Sequence, residues 1–157
     1  AKKEGTMISL TELKDLYQKD EIQGLETTIK LLKNRQFDSV DLENLIEELE
    51  ELGRRERNSV VSLLEQIIRH LLLLQFWTNE RDNNSAYWKG EIYTFRLQLN
   101  RKLTTTLLNY LEDELEQIYQ DARGYVELKT QNSVEFPSKC PYSLDELRDP
   151  TWWSEEV

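Results

Sequence analysis

The most apolar part of this chain is Ile67–Trp77, with the sequence IIRHLLLLQFW. Eight of its eleven residues are apolar, and only Arg69, His70 and Gln75 interrupt them. A segment of this kind must be largely buried, because exposing so much apolar surface to water is unfavourable. We therefore expect it to form the central helix of a compact helical domain.

Apolar residues elsewhere in the chain recur every three or four positions, which is the spacing of an amphipathic α-helix. The 157 residues include only five glycines and three prolines, too few for the frequent turns of a many-stranded β fold. We predict an all-α fold: an antiparallel helical bundle of four to five main helices, followed by a short C-terminal helix and a packed tail.

Capping residues and weak helix formers indicate where the helices begin and end. Ser9 with Glu12, and Ser143 with Glu146, have the spacing of capping boxes, and Asp41 is an expected N-cap. Breaks or weak points are expected at Gly24, at Gly53, in a polar loop at residues 79–85 and in a turn at residues 104–106.

The segment that follows Asp41 has two contrasting faces. Its apolar face consists of Leu42, Leu45, Ile46, Leu49 and Leu52, and its acidic face is largely formed by Glu43, Glu47, Glu50 and Glu51. We expect the apolar face to enter the core and the acidic face to be solvated. A carboxylate-bridged metal pair would need Glu-x-x-His on two helices, and this chain has one histidine. The sequence therefore predicts no metal site and no cofactor.

Charge and composition limit the classes of partner. The formal net charge of −10 disfavours an autonomous binder of nucleic acid or of anionic membranes, because phosphates would be repelled. Cys140 is the only cysteine, so no internal disulfide indicates an oxidising compartment. The longest unbroken apolar run, Leu71–Leu74, is far shorter than the roughly 20 residues that span a bilayer, and no secretory signal is visible. We expect a cytoplasmic protein with no membrane or nucleic-acid partner.

One domain is the expected organisation for a chain of this length. Met7 is the only methionine and the expected natural start. Residues 1–6 would then be a remnant of cloning, and residues 7–157 would form the single helical domain.

His70 is the first residue to consider for chemistry, because imidazole titrates near neutrality and serves as a general acid or base. Glu47, Arg54 and Arg96 are the polar groups expected to be most able to reach it. The alternative is a structural histidine at the border of the apolar face, hydrogen-bonded to a carboxylate on a facing helix. The sequence favours this structural role, since no partner nucleophile is identifiable.

Trp152 and Trp153 close the chain and are candidate partner-binding residues. Adjacent residues cannot share one helical face, so at least one ring is either wedged into a groove or exposed. An exposed tryptophan is a good anchor at an interface. The alternative is a tail that folds back and fills a gap in the bundle.

Several segments resemble a known family. They are Asp41–Arg54 (DLENLIEELEELGR), His70-Leu71-Leu72 with Gln75, the spacing of Trp88, Ile92 and Arg96, Tyr119–Arg123 (YQDAR), and Phe136–Leu144 (FPSKCPYSL) with Asp149-Pro150. In this order they are similar to the uncharacterised, mainly cyanobacterial family catalogued as domain of unknown function twenty-nine. The resemblance covers residues 20–153 and implies an all-helical cytoplasmic domain.

Together these features favour a non-enzymatic, cytoplasmic protein-interaction module. It would bind a partner protein or a second copy of itself through helix faces and the aromatic C-terminal tail. One alternative is an enzyme or nucleic-acid-processing protein centred on His70. Another is an acidic inhibitor or antitoxin-like partner of a basic effector.

Overall fold

A computed structural model describes residues 8–155 and residue 157. The predicted start at Met7 and the predicted remnant of residues 1–6 lie outside the described residues. The described residues divide into two compact units, an N-terminal unit that ends at Arg55 and a C-terminal unit that begins at Glu56. That residues 7–157 form one domain stays a prediction.

Residues 8–155 form six α-helices and one 3₁₀ turn. They are α1 (Leu10–Lys19), α2 (Glu21–Lys33), the 3₁₀ turn (Phe37–Ser39), α3 (Leu42–Phe76), α4 (Thr78–Lys102), α5 (Thr105–Lys129) and α6 (Leu144–Arg148). Residues 8–155 contain no β-strand. The all-α class is therefore confirmed, with five main helices and a short C-terminal helix.

The first break falls at Asp20 and not at Gly24. The Asp20 backbone N–H donates to the Leu16 carbonyl at 2.8 Å and ends α1, and its Oδ1 accepts from the Gln23 N–H at 3.1 Å and starts α2. Both predicted capping boxes, at Ser9 and at Ser143, are present. One residue that caps two helices explains why the chain turns there.

The predicted polar loop at residues 79–85 is wrong, because these residues belong to α4. Only Trp77 separates α3 from α4. Arg81 donates from Nε to the Leu74 carbonyl at 2.8 Å and from an Nη to the Gln75 carbonyl at 2.7 Å. It therefore satisfies carbonyls that the end of α3 leaves without helical partners, which stabilises the abrupt junction. α3 also continues through Gly53.

The N-terminal unit has a small core between α1, α2 and the start of α3. Leu13, Tyr17, Leu31 and Val40 are buried in it, with Leu45 partly buried against them. α1 and α2 approach each other closely at one point, since a Cβ on Gly24 would lie only 2.9 Å from the Tyr17 ring. Gly24 is thus a packing position and not a break.

The C-terminal unit contains the larger core, and the stretch that begins at Ile67 supplies its centre. Ring contacts pair His70 with Phe95 and Trp77 with Trp88, so residues 56–76 of α3 run antiparallel to α4. Arg69 lies over the Tyr125 ring, and Arg57 lies over the Tyr110 ring. Because the later residue of α3 pairs with the later residue of α5, these two helices run in the same direction.

By length and composition alone, α3 is apolar enough to cross a membrane. Half of its most apolar window is buried within the fold, as expected for the core helix of a helical protein. That the chain has no membrane partner stays a prediction.

Candidate functional site

His70 is held in one orientation by its own helix. Its Nδ1 lies 2.6 Å from the Gln66 carbonyl oxygen. A carbonyl only accepts, so Nδ1 carries the hydrogen and donates it. In the neutral ring Nε2 is then unprotonated and available as an acceptor or a base.

The imidazole lines a half-open cavity of about 310 Å³ in the C-terminal unit. Its wall is formed by Gln66, Arg69, His70, Leu73, Tyr87, Trp88, Glu91, Phe95, Tyr125 and Lys129. The cavity therefore joins a histidine, a carboxylate and two cationic side chains from α3, α4 and α5. The histidine is not sealed within the apolar core.

Burial lowers the pKa of His70 below its ordinary value. The hydrogen bond to Gln66 and the charge of Glu91 oppose this change, whereas the charges of Arg69 and Lys129 add to it. The Arg69 charge is already engaged: its guanidinium pairs with Glu65, and its Cζ lies 3.8 Å from the Tyr125 ring centroid. The site thus favours a neutral imidazole at pH 7.

This arrangement could accept a proton at Nε2 from a small molecule in the cavity. Tyr87 and Tyr125 supply the hydroxyl groups of the wall, and they are 64% and 41% exposed. The wall contains no serine, threonine or cysteine. A proton-transfer role is therefore compatible with the geometry, and the wall provides no hydroxyl or thiol nucleophile of the serine, threonine or cysteine kind.

The other candidate catalytic residues have different environments. Glu47 is exposed in the N-terminal unit. Arg54 belongs to the same unit, where an Nη lies 2.8 Å from a Glu51 carboxylate oxygen. Their assignment to a site with His70 stays a prediction. Among residues 8–155, no group of three or more histidine, cysteine or acidic side chains is arranged to hold a metal ion.

Arg96 is fully buried and binds the C-terminal segment. Its Nε donates to the Leu147 carbonyl at 2.7 Å, and its two Nη atoms donate to the carbonyls of Trp152 and Glu146 at 2.8 and 3.1 Å. Burial lowers the pKa of Arg96 to about 10, which leaves it charged at neutral pH. The geometry gives Arg96 the role of fixing the end of α6 and the tail.

The two candidate partner-binding tryptophans pack on the C-terminal unit. The Trp152 ring meets the Tyr142 ring edge-on, with centroids 5.8 Å apart. The Trp153 ring lies beneath the Arg96 guanidinium, at 5.2 Å from its centroid, and within 5.5 Å of Lys89 Nζ. Both rings are partly buried. A role in partner binding stays a prediction, and the predicted packed tail is present.

A second candidate site is the apolar row on the first half of α3, which the sequence places in the core. Leu42, Ile46, Leu49 and Leu52 are instead 62%, 52%, 60% and 54% exposed. We call these four residues the α3 stripe. The neighbouring Leu45 enters the small core, so the helix packs along the edge of its apolar face and leaves the middle in solvent.

α2 carries a second exposed apolar row, in which the exposed Glu26 stands where the α3 stripe has Ile46. Ile22, Ile29 and Leu32 are exposed, and we call them the α2 stripe. Gly24, Thr28 and Leu31 form the buried face of the same helix. Ile22 and Ile29 lie two helical turns apart and therefore on one side of α2.

Charged residues border both stripes in the same pattern. Glu43, Glu47 and Glu50 each directly follow a residue of the α3 stripe, whereas Lys30 and Lys33 directly follow residues of the α2 stripe. Glu43 lies 3.8 Å from Lys14. The other four are exposed, and none of them forms an ion pair with another residue in the part of the chain that the structure describes.

The comparisons with known proteins identify a family. Neither the curated proteins nor the solved structures contain a match to this chain. The family model described as "Domain of unknown function DUF29" matches residues 16–153. This range contains α2 to α6, the His70 cavity and both stripes. The chain therefore belongs to the DUF29 family.

Proposed function

We propose that this protein is a non-enzymatic, cytoplasmic interaction module that binds an amphipathic protein helix along the α2 and α3 stripes. The observation that carries this proposal is the uneven distribution of exposed apolar side chains. Every exposed isoleucine and phenylalanine of residues 8–155, and every exposed leucine except Leu128, lies in the N-terminal unit. A concentration of exposed apolar side chains on one unit is typical of protein-binding sites.

The periodicity of the α3 stripe supports a helical ligand. Leu42, Ile46 and Leu49 are spaced by four and three residues, so they form one ridge along the helix. Ridges of this spacing pack into the grooves of a second helix. The tail tryptophans are engaged within the C-terminal unit, and we therefore place the binding surface on the helix faces.

Capture with matched variants tests the proposal. The immobilised wild type would be compared with the double variant Leu42→Gln, Leu49→Gln and with Leu128→Gln, using extracts of the native host and mass spectrometry. Leu128 is 77% exposed but lies on α5, outside the stripes, so it controls for loss of an exposed leucine. We expect the wild type and the control to retain the same protein and the double variant to lose it. Identical retention by all three would contradict the proposal.

The His70 cavity supports a second candidate function, an enzyme that uses Nε2 as a base. The open cavity and the fixed tautomer favour it. A small-molecule screen by NMR, observing the single imidazole, tests this alternative. Binding of a ligand that shifts the His70 ring signals, and is lost in His70→Gln, would support it; no shift from any ligand class would contradict it.

A further inference from the structure

We infer that a second copy of this chain occupies the two stripes, with α2 of each copy packed against α3 of the other. This inference rests on the proposed function and names its partner. The chain carries two different exposed apolar ridges on one unit. A two-fold axis that brings α2 onto the partner's α3 also brings α3 onto the partner's α2, so both ridges are covered at once.

Charge selects this pairing over other arrangements of two copies. If α3 packed on α3 of the second copy, Glu47 and Glu50 would face the same carboxylates and repel them. Packing α2 against α3 instead brings Lys30 and Lys33 towards Glu47 and Glu50. Charged residues that flank an apolar seam choose helix partners in this way.

The positions of the lysine row on α2 and the glutamate row on α3 are also consistent with an antiparallel α2–α3 pairing. Lys30 and Lys33 directly follow Ile29 and Leu32, and Glu47 and Glu50 directly follow Ile46 and Leu49. The lysine row and the glutamate row therefore lie on the same rotational side of their stripes. Two helices packed face to face and antiparallel place these equivalent sides next to each other. The lysine row of α2 and the glutamate row of α3 would therefore meet along one edge of the seam.

The net charge of −10 opposes self-association, but mainly at long range. At physiological ionic strength, interactions between exposed charges are screened beyond about 8 Å. The apolar seam and the lysine–glutamate contacts act at shorter distances. We therefore expect the charge to slow the encounter of two copies more than it weakens the formed dimer.

Sedimentation equilibrium over a range of concentrations tests the inference. The wild type should change from the monomer mass of 18.8 kDa to twice that mass as its concentration rises. Leu42→Gln with Leu49→Gln should stay monomeric at concentrations where the wild type and Leu128→Gln are dimeric. A wild type that is always monomeric, or a double variant that dimerises like the wild type, would overturn the inference.

Charge reversal tests the pairing of the helices. Glu47→Lys with Glu50→Lys should weaken the dimer at least tenfold, as should Lys30→Glu with Lys33→Glu, since each puts like charges across the seam. The combination of all four substitutions should restore it. All four positions are exposed, and circular dichroism would check that each variant keeps its helices. Failure of the combined variant to recover would overturn the α2–α3 pairing.

The same variants separate this inference from the proposed function. If the wild type is monomeric but captures another protein through Leu42 and Leu49, the stripes bind a different chain and only the second-copy inference fails. If the wild type is monomeric and the double variant captures the same proteins as the wild type, both fail.

Discussion

Arg96 donates its Nε hydrogen to the carbonyl oxygen of Leu147, fifty-one residues further along the chain, across 2.7 Å. Together with its bonds to the carbonyls of Glu146 and Trp152, this contact attaches α6 and the tail to α4. The last carbonyls of a helix lack helical partners, so a buried guanidinium with several donors is well suited to bind them.

Replacing Arg96 should therefore loosen the C-terminal segment. Hydrogen bonds to charged groups contribute about 1.5–3 kcal/mol each, and we expect Arg96→Ala to lower the free energy of unfolding by at least about 3 kcal/mol. Asn100→Ala is the matched control, because Asn100 donates a single hydrogen bond to the Arg148 carbonyl. Urea unfolding would measure both; equal effects for the two variants would contradict the role assigned to Arg96.

Gly24 should resist substitution although alanine is the better helix former. A Cβ at this position would lie 2.9 Å from Tyr17 Cδ1 and 3.2 Å from Tyr17 Cα. We expect Gly24→Ala to destabilise the protein by about 1–3 kcal/mol through this overlap.

Gly90 and Gly124 provide the controls for Gly24, because a Cβ on either would meet no atom within 4 Å. Their replacement by alanine should raise the free energy of unfolding by about 0.5–1 kcal/mol. Thermal unfolding of the three variants would show whether alanine destabilises the protein at Gly24 and stabilises it at Gly90 and Gly124. A stabilised Gly24→Ala variant would exclude the close approach of α1 and α2.

The pH dependence of stability should report the burial of His70. Since burial lowers its folded pKa, the unfolded chain binds more protons as the pH falls below about 6.5, its ordinary value. The neutral His70 therefore contributes fully to the free energy of unfolding above that pH, and this contribution is lost as the pH falls through the folded pKa. His70→Gln should remove this part of the pH dependence.

NMR measures the His70 pKa without assignment, because the chain has a single histidine. The ring C–H signals should titrate below the ordinary value. A midpoint at or above that value would contradict the placement of the imidazole in the half-buried wall.

The Cys140 thiol should react slowly in the folded protein. Burial raises its pKa to about 11, and its Sγ lies 3.3 Å from the Tyr142 carbonyl. Because the thiolate is the nucleophile, alkylation by iodoacetamide at mildly alkaline pH should be far slower in the folded than in the urea-unfolded chain. Equal rates in the two states would show an accessible thiolate.

Local signals in the sequence predict much of the fold. The central burial of Ile67–Leu74, both capping boxes and the N-cap at Asp41 follow from residue type and spacing; the Asn44 N–H donates to Asp41 Oδ1 at 3.3 Å. The polar composition of residues 79–85 predicts a loop. In the structure these residues are helical, and Arg81 donates hydrogen bonds to carbonyls at the end of the preceding helix. A sequence window does not contain that tertiary contact.

The candidate sites were harder to predict, for the same reason. His70 was identified by its uniqueness, but Glu91 and Lys129 reach its cavity only through the packing of α4 and α5. Periodicity identified the apolar face of α3 correctly. It could not show that only Leu45 turns into the small core and that Leu42, Ile46 and Leu49 stay in solvent, because that depends on what packs against the helix.

The proposed binding surface requires that the α3 stripe be exposed to solvent. Urea unfolding of the double variant Leu42→Gln, Leu49→Gln measures this exposure, at concentrations where the chain sediments as a monomer. We predict a loss below about 1 kcal/mol per site, as for surface positions that are half exposed. A loss of about 2–5 kcal/mol per site would contradict the exposure of these two leucines, because it would place them in a packed core.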